Sequence, residues 1–332
     1  MRSLALSFVV LCFFLTPLHA QWQWLNPLPE GNELYAAAYR DANNAWIVGG
    51  NGALLRSSNG GTSWMSQDNP LRPTPFLGLS IVFPDALTGL ISMNNGALLR
   101  STDGGFTWEL LARTGLSIQK MRIAPDGSVW GYGSLGSISR STDGGTSWEQ
   151  FTTGISTVVY DVSFPDATTA VAACGNGVLL RSVDNGATWT QIAAPYGTDV
   201  ISVDFSSPTH GIALQQPRYV LRSTDGGQSW SDTTFGVNQL TQVRFATEET
   251  GWIVSNSPGS VYRTQNGGVS WESVTVEPTR RYTFLGILPV DAQRAMLMGV
   301  GGAIFTTDDA GAQWTQRGTA FTRNHLHGVT AF

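Results

Sequence analysis

The sequence is poor in cysteine, lysine and histidine, and each shortage excludes a class of protein. Its two cysteines, Cys12 and Cys174, provide no disulfide framework. Lys120 is the only lysine, and a net charge of −5 argues against a general nucleic-acid binder. His325 and His327 share a strand face, but two ligands near a chain end are not a metal site, so neither a metal nor a cofactor is predicted.

Long apolar runs are absent after residue 20. The apolar run 4–15 follows Arg2 and leads to a small residue at Ala20, as in a secretory signal peptide over residues 1–20. The run is too short to span a bilayer, and the residues before Cys12 form a poor lipoprotein box. We therefore expect a secreted or periplasmic chain with no transmembrane span, in which Cys174 is a buried small hydrophobe.

What the chain does contain is glycine, tryptophan and a repeated segment of nine residues. One full copy is Arg100-Ser-Thr-Asp-Gly-Gly-Phe-Thr-Trp108. The other copies occupy residues 56–64, 140–148, 181–189, 222–230, 263–271 and 306–314. The closing tryptophans lie 40 to 44 residues apart, and a fixed period of this size indicates a repeat architecture.

Three positions of the repeated segment predict a stapled hairpin. The acidic position would fold back onto backbone N–H groups, the glycine three residues before Trp would take a positive φ, and Trp would clamp the turn. The acidic residues are Asp103, Asp143, Asp184, Asp225 and Asp309, with Asn59 and Asn266 in the other copies. The tryptophans are Trp64, Trp108, Trp148, Trp189, Trp230, Trp271 and Trp314. Five equivalent carboxylates and two amides at one repeat position argue for a structural role, because a catalytic site needs only one or two carboxylates.

Each repeat also contains four strand-like pieces separated by turn signals. In the first repeat these are residues 34–39, 45–49, 53–57 and the region around Trp64, with Gly50-Asn51-Gly52 as a hairpin. Four short strands per repeat predict an all-β, seven-bladed β-propeller of antiparallel blades over residues 21–332. Residues 325–332 resemble the opening of an eighth repeat. They either help to close the ring with the segment 21–27 or indicate a fragment of a longer repeat protein.

The segment resembles the Asp-box, or BNR, repeat, which in known families occupies the hairpin between the third and fourth strands of a blade. Sialidases, sortilin-type receptors and xyloglucan hydrolases also carry it. The longer form in residues 49–64 and 174–189 looks most like the photosystem II assembly and stability factor family. That resemblance implies a soluble luminal or periplasmic propeller, here expected to be a monomer, that holds a partner protein through an arginine-rich surface. Thr306 departs from the pattern, because the other six copies begin with arginine.

The recurrent arginine has two interpretations. Each stem could pack between blades as a strut, or the six guanidinium groups could form a patch that binds carboxylates. The six residues are Arg56, Arg100, Arg140, Arg181, Arg222 and Arg263.

A second candidate site lies on the first strand of the middle repeats. Its polar residues should line the axial channel, either as ion pairs between blades, such as Asp204 with Arg244, or as a polar pocket. The channel-lining candidates are Lys120, Arg122, Asp161, Asp204 and Arg244. The flanking repeats have small or apolar residues instead: Ala36, Ala38, Ser80, Val82, Leu285 and Ile287.

Three functional classes are compatible with this pattern, and a non-enzymatic binding propeller is the expected one. A glycosidase is the first alternative, with Asp161 and Asp204 as its candidate carboxylates. Against it, the Arg-Ile-Pro segment usual in sialidases is missing, and xyloglucan hydrolases use two propellers where this chain has one. The other alternative is a repeat segment of a larger secreted adhesion protein.

Overall fold

The computed structural model describes residues 32–318 except for 69, 71–76, 112–114, 258–259 and 278–281. The predicted signal peptide, the segment 21–27 and the unfinished repeat at 325–332 lie outside the described residues. Within them, no helix is long and apolar enough to cross a membrane.

Twenty-eight strands form seven antiparallel four-stranded sheets, and in every sheet the strands pair in chain order. Blade 1 contains β1 Leu34–Tyr39, β2 Ala45–Gly49, β3 Leu54–Ser57 and β4 Met65–Ser66. Blade 2 contains β5 Gly78–Val82, β6 Gly89–Met93, β7 Leu98–Ser101 and β8 Glu109–Leu110. Blade 3 contains β9 Lys120–Ile123, β10 Val129–Tyr132, β11 Ile138–Ser141 and β12 Glu149–Phe151.

The remaining four blades follow the same plan. Blade 4 contains β13 Val159–Ser163, β14 Ala170–Cys174, β15 Val178–Ser182 and β16 Thr190–Ala193. Blade 5 contains β17 Val200–Phe205, β18 Gly211–Gln215, β19 Tyr219–Ser223 and β20 Ser231–Gly236. Blade 6 contains β21 Leu240–Phe245, β22 Gly251–Ser255, β23 Val261–Thr264 and β24 Glu272–Val274. Blade 7 contains β25 Phe284–Pro289, β26 Ala295–Gly299, β27 Ile304–Thr307 and β28 Thr315–Gly318.

Short 3₁₀ turns join the second and third strands in three of the blades, at Gly50–Gly52, Ser134–Gly136 and Val300–Gly302. The first of them is the hairpin that the sequence predicts. Its central residue Asn51 has a φ of +52°, in the left-handed region that asparagine tolerates.

The first strands of successive blades contact one another, and β25 contacts β1, so the ring closes as a seven-bladed propeller. A shared core cluster at this junction includes Leu34 and Ile47 of blade 1 with Met296 and Ile304 of blade 7. The predicted fold class is therefore confirmed, and the closure lies within the described residues.

The second strands form the buried layer because each lies between two neighbouring blades. Every residue of β2 is buried, and Trp46, Trp130 and Trp252 are at most 2% exposed. Strands covered on both faces are apolar throughout, in contrast to strands with one solvent face. Cys174 ends β14 in this layer and is fully buried, as predicted.

The Asp-box turn has the same hydrogen bonds from blade to blade, as blade 2 illustrates. Asp103 Oδ1 accepts from Ser101 Oγ at 2.8 Å and from the backbone N–H of Thr107 at 2.9 Å. Its Oδ2 accepts from the Thr107 hydroxyl at 2.6 Å. The indole N–H of Trp108 donates to the Gly105 carbonyl at 3.1 Å, which clamps the ring over the turn.

The glycine of the box faces two constraints at once. Gly105 has a φ of +88°, and a Cβ there would lie 2.7 Å from the Trp46 ring of blade 1. Gly145 meets Leu90 of blade 2 in the same way, at 2.6 Å. In six of the seven copies the box glycine packs in this way against the second strand of the preceding blade, whereas Gly61 meets Tyr39 and Thr306. The box therefore joins blades as well as closing its own hairpin.

Two expectations for the box need qualification. The indole N–H bonds to the box glycine carbonyl in four copies, Trp64, Trp108, Trp148 and Trp230. For Trp189, Trp271 and Trp314, no acceptor lies within hydrogen-bond distance in the part of the chain that the structure describes. Asn replaces Asp without altering the turn, because Asn59 Nδ2 donates to Ser63 Oγ at 2.8 Å.

Acid should weaken the aspartate boxes selectively. Burial opposes ionisation of Asp103, but hydrogen bonds from Thr107, Ser101 and Phe106 together outweigh it and lower its pKa to about 2. An unfolded Asp titrates near 3.9, so this stabilisation is complete above pH ~4 and is lost as the pH falls towards 2. A triple change, Asp103→Asn, Asp143→Asn and Asp225→Asn, should therefore flatten the decline of the thermal midpoint between about pH 4 and 2.

The same triple variant should melt close to the parent at pH 7, because the natural Asn boxes at 59 and 266 form the same turn. Thermal melts followed by circular dichroism at both pH values make the measurement. A large loss of stability at pH 7, or an unchanged slope in acid, would contradict this role of the carboxylates.

Candidate functional site

The register of the first strands places their polar residues in two layers around the axis. Each residue of the first layer pairs with the fourth residue of the second strand in its own blade. This layer contains Ser80, Lys120, Asp161, Ser202 and Gln242. The second layer, two residues further along, contains Arg122, Ser163, Asp204 and Arg244. All five channel candidates therefore belong to one side of the ring, formed by blades 3 to 6.

The prediction for blade 7 is wrong by one residue. Ile287 pairs with Leu297 as Val243 pairs with Ile253, and it is buried in the core. Gly286 and Leu288 occupy the two layers instead of Leu285 and Ile287. A register error of one residue exchanges the two faces of a strand. The residues 284–288 show no alternation of polar and apolar side chains, so the sequence does not indicate which of them face the channel.

Side chains of the first layer bind the backbone of the next blade. The N–H of Met121 donates to Ser80 Oγ at 3.1 Å, and that of Val243 donates to Ser202 Oγ at 3.2 Å. The N–H of Ile287 donates to Gln242 Oε1 at 2.8 Å. The first strand of a blade is an edge strand, so these groups have no neighbouring strand to bond. The polar side chains therefore join consecutive blades.

Two ion pairs cross the channel, and each connects blades that are two apart. Arg122 Nη2 of blade 3 lies 2.9 Å from Asp204 Oδ1 of blade 5. Arg244 Nη1 of blade 6 lies 2.7 Å from Asp161 Oδ2 of blade 4. The predicted pairing of Asp204 with Arg244 is therefore wrong. Asp204 Oδ2 accepts a hydrogen bond from the backbone N–H of Phe245 of blade 6 at 2.7 Å. The arginine side chains are long enough to extend past the adjacent blade to the aspartate beyond it.

Asp161 is the most heavily coordinated carboxylate in this group. Its oxygens also accept from Tyr132 Oη at 3.1 Å and from Ser202 Oγ at 2.8 Å, and its side chain is 1% exposed. Burial opposes its ionisation, but the guanidinium groups of Arg244 and Arg122 more than offset burial and hold its pKa well below the usual range. The carboxylate is consequently a fixed anion. Tyr132 is a partner that sequence reasoning missed, because nothing in its local pattern distinguishes it from a core tyrosine.

Lys120 differs from its neighbours because its side chain is exposed and forms no ion pair within the described residues. Its Nζ donates to the Tyr160 carbonyl of blade 4 at 3.1 Å. Although exposed, the ammonium is surrounded by the channel wall, and this partial desolvation lowers its pKa. Lys120 therefore connects blades 3 and 4, as the serine side chains do elsewhere.

Three of the box arginines are struts to the next blade. Arg100 Nε donates to the Gly144 carbonyl at 2.9 Å, and Arg181 Nε donates to the Gly226 carbonyl at 2.8 Å. Arg263 Nη1 donates to the Ala310 carbonyl at 2.7 Å. Each acceptor is the box residue that follows Asp or Asn, so the strut ties one blade to the box of the next.

The other three box arginines are held differently. Arg140 pairs with Asp126 of its own blade. Arg56 stacks on Phe106, with 4.1 Å between its Cζ and the ring centroid. Arg222 is half-buried, and its Nε has no acceptor within the described residues. In blade 1, Arg40 provides the strut, donating to the Gly104 carbonyl at 2.7 Å. The repeat pattern could not identify Arg40, because it lies outside the nine-residue segment.

The two interpretations of the box arginines, as struts and as a binding patch, therefore apply to different nitrogen atoms of the guanidinium group. Arg100 and Arg181 use Nε for the strut, and no carboxylate of the described residues pairs with them or with Arg222. Arg140 and Arg263 are neutralised by Asp126 and Glu272. No group of three or more His, Cys, Asp or Glu side chains in the described ranges is arranged to hold a metal.

Comparison with known proteins identifies one family. A family profile described as "Photosynthesis system II assembly factor YCF48" matches residues 18–102 and 182–321. No curated protein sequence matches the chain.

Solved structures of two kinds share the fold. "YCF48 bound to D1 peptide" is 18% identical, with a TM-score of 0.70 over 85% of this chain and 95% of that one. YCF48 from Cyanidioschyzon merolae is 19% identical, with a TM-score of 0.66 over 85% and 97%. The GH74 xyloglucanase from Xanthomonas campestris is 14% identical, with a TM-score of 0.66 over 90% of this chain but 56% of its own. At these identities the likeness concerns the fold.

Breaking one channel ion pair should be costly. Arg244→Gln leaves the buried Asp161 carboxylate without its main counter-charge, and the expected loss of unfolding free energy is about 3–5 kcal/mol. Combining Arg244→Gln with Asp161→Asn removes both charges and should recover most of the loss. Denaturant unfolding of the parent, the two single variants and the double variant measures the coupling. Equal stability of the parent and the Arg244→Gln protein would contradict a role for this pair in holding blades 4 and 6 together.

Proposed function

The chain belongs to the family of the photosynthesis system II assembly factor YCF48, and from this we propose that it is a secreted or periplasmic, non-enzymatic protein that holds a segment of a partner protein. The signal-peptide pattern over residues 1–20 supports the location. The YCF48 structure with a D1 peptide supports a partner that is itself a polypeptide.

Arg181 and Arg222 carry the proposal. They occupy the same position of adjacent blades 4 and 5, are half-buried and have no carboxylate partner within the described residues. Guanidinium groups bind carboxylates through paired, charge-assisted hydrogen bonds. The partner segment should therefore carry an acidic side chain or a chain-terminal carboxylate that binds to these two arginines.

The state of the channel carboxylates disfavours the glycosidase alternative. Most glycosidases need one carboxyl group with a raised pKa to act as an acid, beside a second carboxylate. Asp161 instead has a lowered pKa, and both Asp161 and Asp204 form ion pairs with arginines. The chain also spans about half the length of the GH74 enzymes that share its fold.

Binding can be tested with a synthetic D1 peptide, labelled for fluorescence anisotropy. Changing Arg181→Gln and Arg222→Gln together should weaken binding by about tenfold or more, because charged hydrogen bonds are lost. Changing Arg140→Gln and Arg263→Gln together is the matched control, since those arginines are already paired, and should alter the affinity little. Binding should also weaken with added salt.

Three results would contradict parts of the proposal. A peptide that fails to bind the parent protein argues against a photosystem partner. Equal losses in the two double variants argue against a specific role for Arg181 and Arg222. A fall in thermal midpoint of the Arg181/Arg222 variant, with unchanged affinity of the folded fraction, would make these arginines struts alone.

The purified protein should release no sugar from sialosides or xyloglucan oligosaccharides. The physical reason is that its channel carboxylates are locked in ion pairs and cannot deliver a proton. Reducing-sugar and sialic-acid assays make the measurement. Turnover in the parent that disappears in an Asp161→Asn or Asp204→Asn variant would establish the enzyme alternative instead.

A further inference from the structure

The junction of blade 7 with blade 1 lacks the arginine strut that joins four of the other six pairs of neighbouring blades. Blade 7 has Thr306 where the repeat has arginine, so no guanidinium from β27 can reach the box of blade 1. The acceptor of that box, the Gly60 carbonyl, instead accepts from the Tyr39 hydroxyl at 3.1 Å.

A cavity of about 150 Å³ lies at this junction, which we call the seam cavity. Its lining includes Tyr39, Thr62, Arg294, Thr306, Thr315 and Arg317. Three of these side chains are threonine hydroxyls and two are guanidinium groups, so hydrogen-bond donors predominate. Cavities of this size accommodate a ligand comparable to benzene.

Arg317 contributes a positive charge without a carboxylate partner to the lining of the seam cavity. Its Nε donates to Thr306 Oγ1 at 2.9 Å, and no carboxylate of the described residues pairs with it. Arg294 is paired with Asp291 at 2.7 Å, and the exposed Asp308 also lines the cavity. Burial raises the pKa of Tyr39, while the positive charges of Arg294 and Arg317 oppose that rise. Both arginines and Tyr39 line the same cavity.

We propose that the seam cavity is a binding site for a carboxylate group, held by Arg317 together with threonine hydroxyls. A cationic guest is disfavoured, because two guanidinium groups already line the space and Tyr39 already occupies the Gly60 carbonyl. An apolar guest would leave the guanidinium and hydroxyl donors unsatisfied. The site is separate from the Arg181 and Arg222 position on blades 4 and 5.

Two sources carry the required chemistry, a free small dicarboxylic acid and an acidic side chain of a bound polypeptide. Sodium succinate represents the first, and the blocked peptide acetyl-Gly-Glu-Gly-amide represents the second. The corresponding Gln peptide is the control for the second arm. Isothermal titration calorimetry on the full chain, at constant ionic strength, measures each affinity.

Two variants test the location of the site. Arg317→Gln removes the unpaired cation and should weaken binding of the carboxylate probe by about tenfold or more. Thr306→Arg restores the repeat residue, fills the seam cavity with a guanidinium stem and should abolish binding while the ring stays folded. Arg181→Gln is the matched control and should bind the probe as the parent does. Asp308→Asn removes the negative charge from the lining and should tighten binding.

The outcomes separate cleanly. Binding of succinate, or of the Glu but not the Gln peptide, that is lost in both seam variants supports the proposal and identifies the source. Absence of binding by either probe overturns it, as does binding that survives in both the Arg317→Gln and Thr306→Arg proteins. Loss in the Arg181→Gln protein would assign the carboxylate to the arginines of blades 4 and 5 instead.

Discussion

The fold depends on how the innermost strand of each blade satisfies its backbone on the side facing the axis. That strand is an edge, and its N–H groups point into a narrow channel where no further strand can pair with them. Ser80, Ser202 and Gln242 supply the missing acceptors from the preceding blade. Polar side chains on these inner strands therefore join each blade to the next by hydrogen bonds near the axis.

The rim joins the blades by a second and independent device. At four junctions the box turn presents a carbonyl to the preceding blade, where an arginine donates to it: Arg40, Arg100, Arg181 or Arg263. Neighbouring blades are therefore joined both near the axis, by polar side chains of the first strands, and at the rim, by these arginines. Because Arg100 and Arg181 make the rim contact through Nε, the outer nitrogens of these two guanidinium groups remain available for recognition. One residue can therefore serve stability and binding, which is why neither interpretation of the repeated arginine excludes the other.

Most of the fold was predictable because local rules determine it. The positive φ of the box glycines, the turn-forming Asp and the 40-residue period together specify blades, strand order and hairpins. The set of channel residues was predictable from polar residues at alternating positions of the first strands. Their ion-pair partners were not predictable, because Arg122 and Arg244 pair with aspartates two blades away. Sequence spacing does not show how closely two strands approach each other at the axis. Tyr132 and Arg40 were missed because each acts through a contact with another blade, whereas the parity of β25 was missed because its apolar run shows no alternation.

The ion pairs between alternate blades also bear on how such a protein can evolve. A ring of repeats suggests parts that can be duplicated, deleted or reordered one at a time. Here Arg122 needs an aspartate two blades ahead, and Arg244 needs one two blades behind, so blades 3 to 6 form a matched quartet. Insertion of a single blade between blades 4 and 5 would separate both pairs, and insertion elsewhere within the quartet would separate one of them, in each case leaving buried charges uncompensated. We therefore expect exchange of blades to be better tolerated in the remaining arc, where small and apolar residues face the axis, than within the quartet.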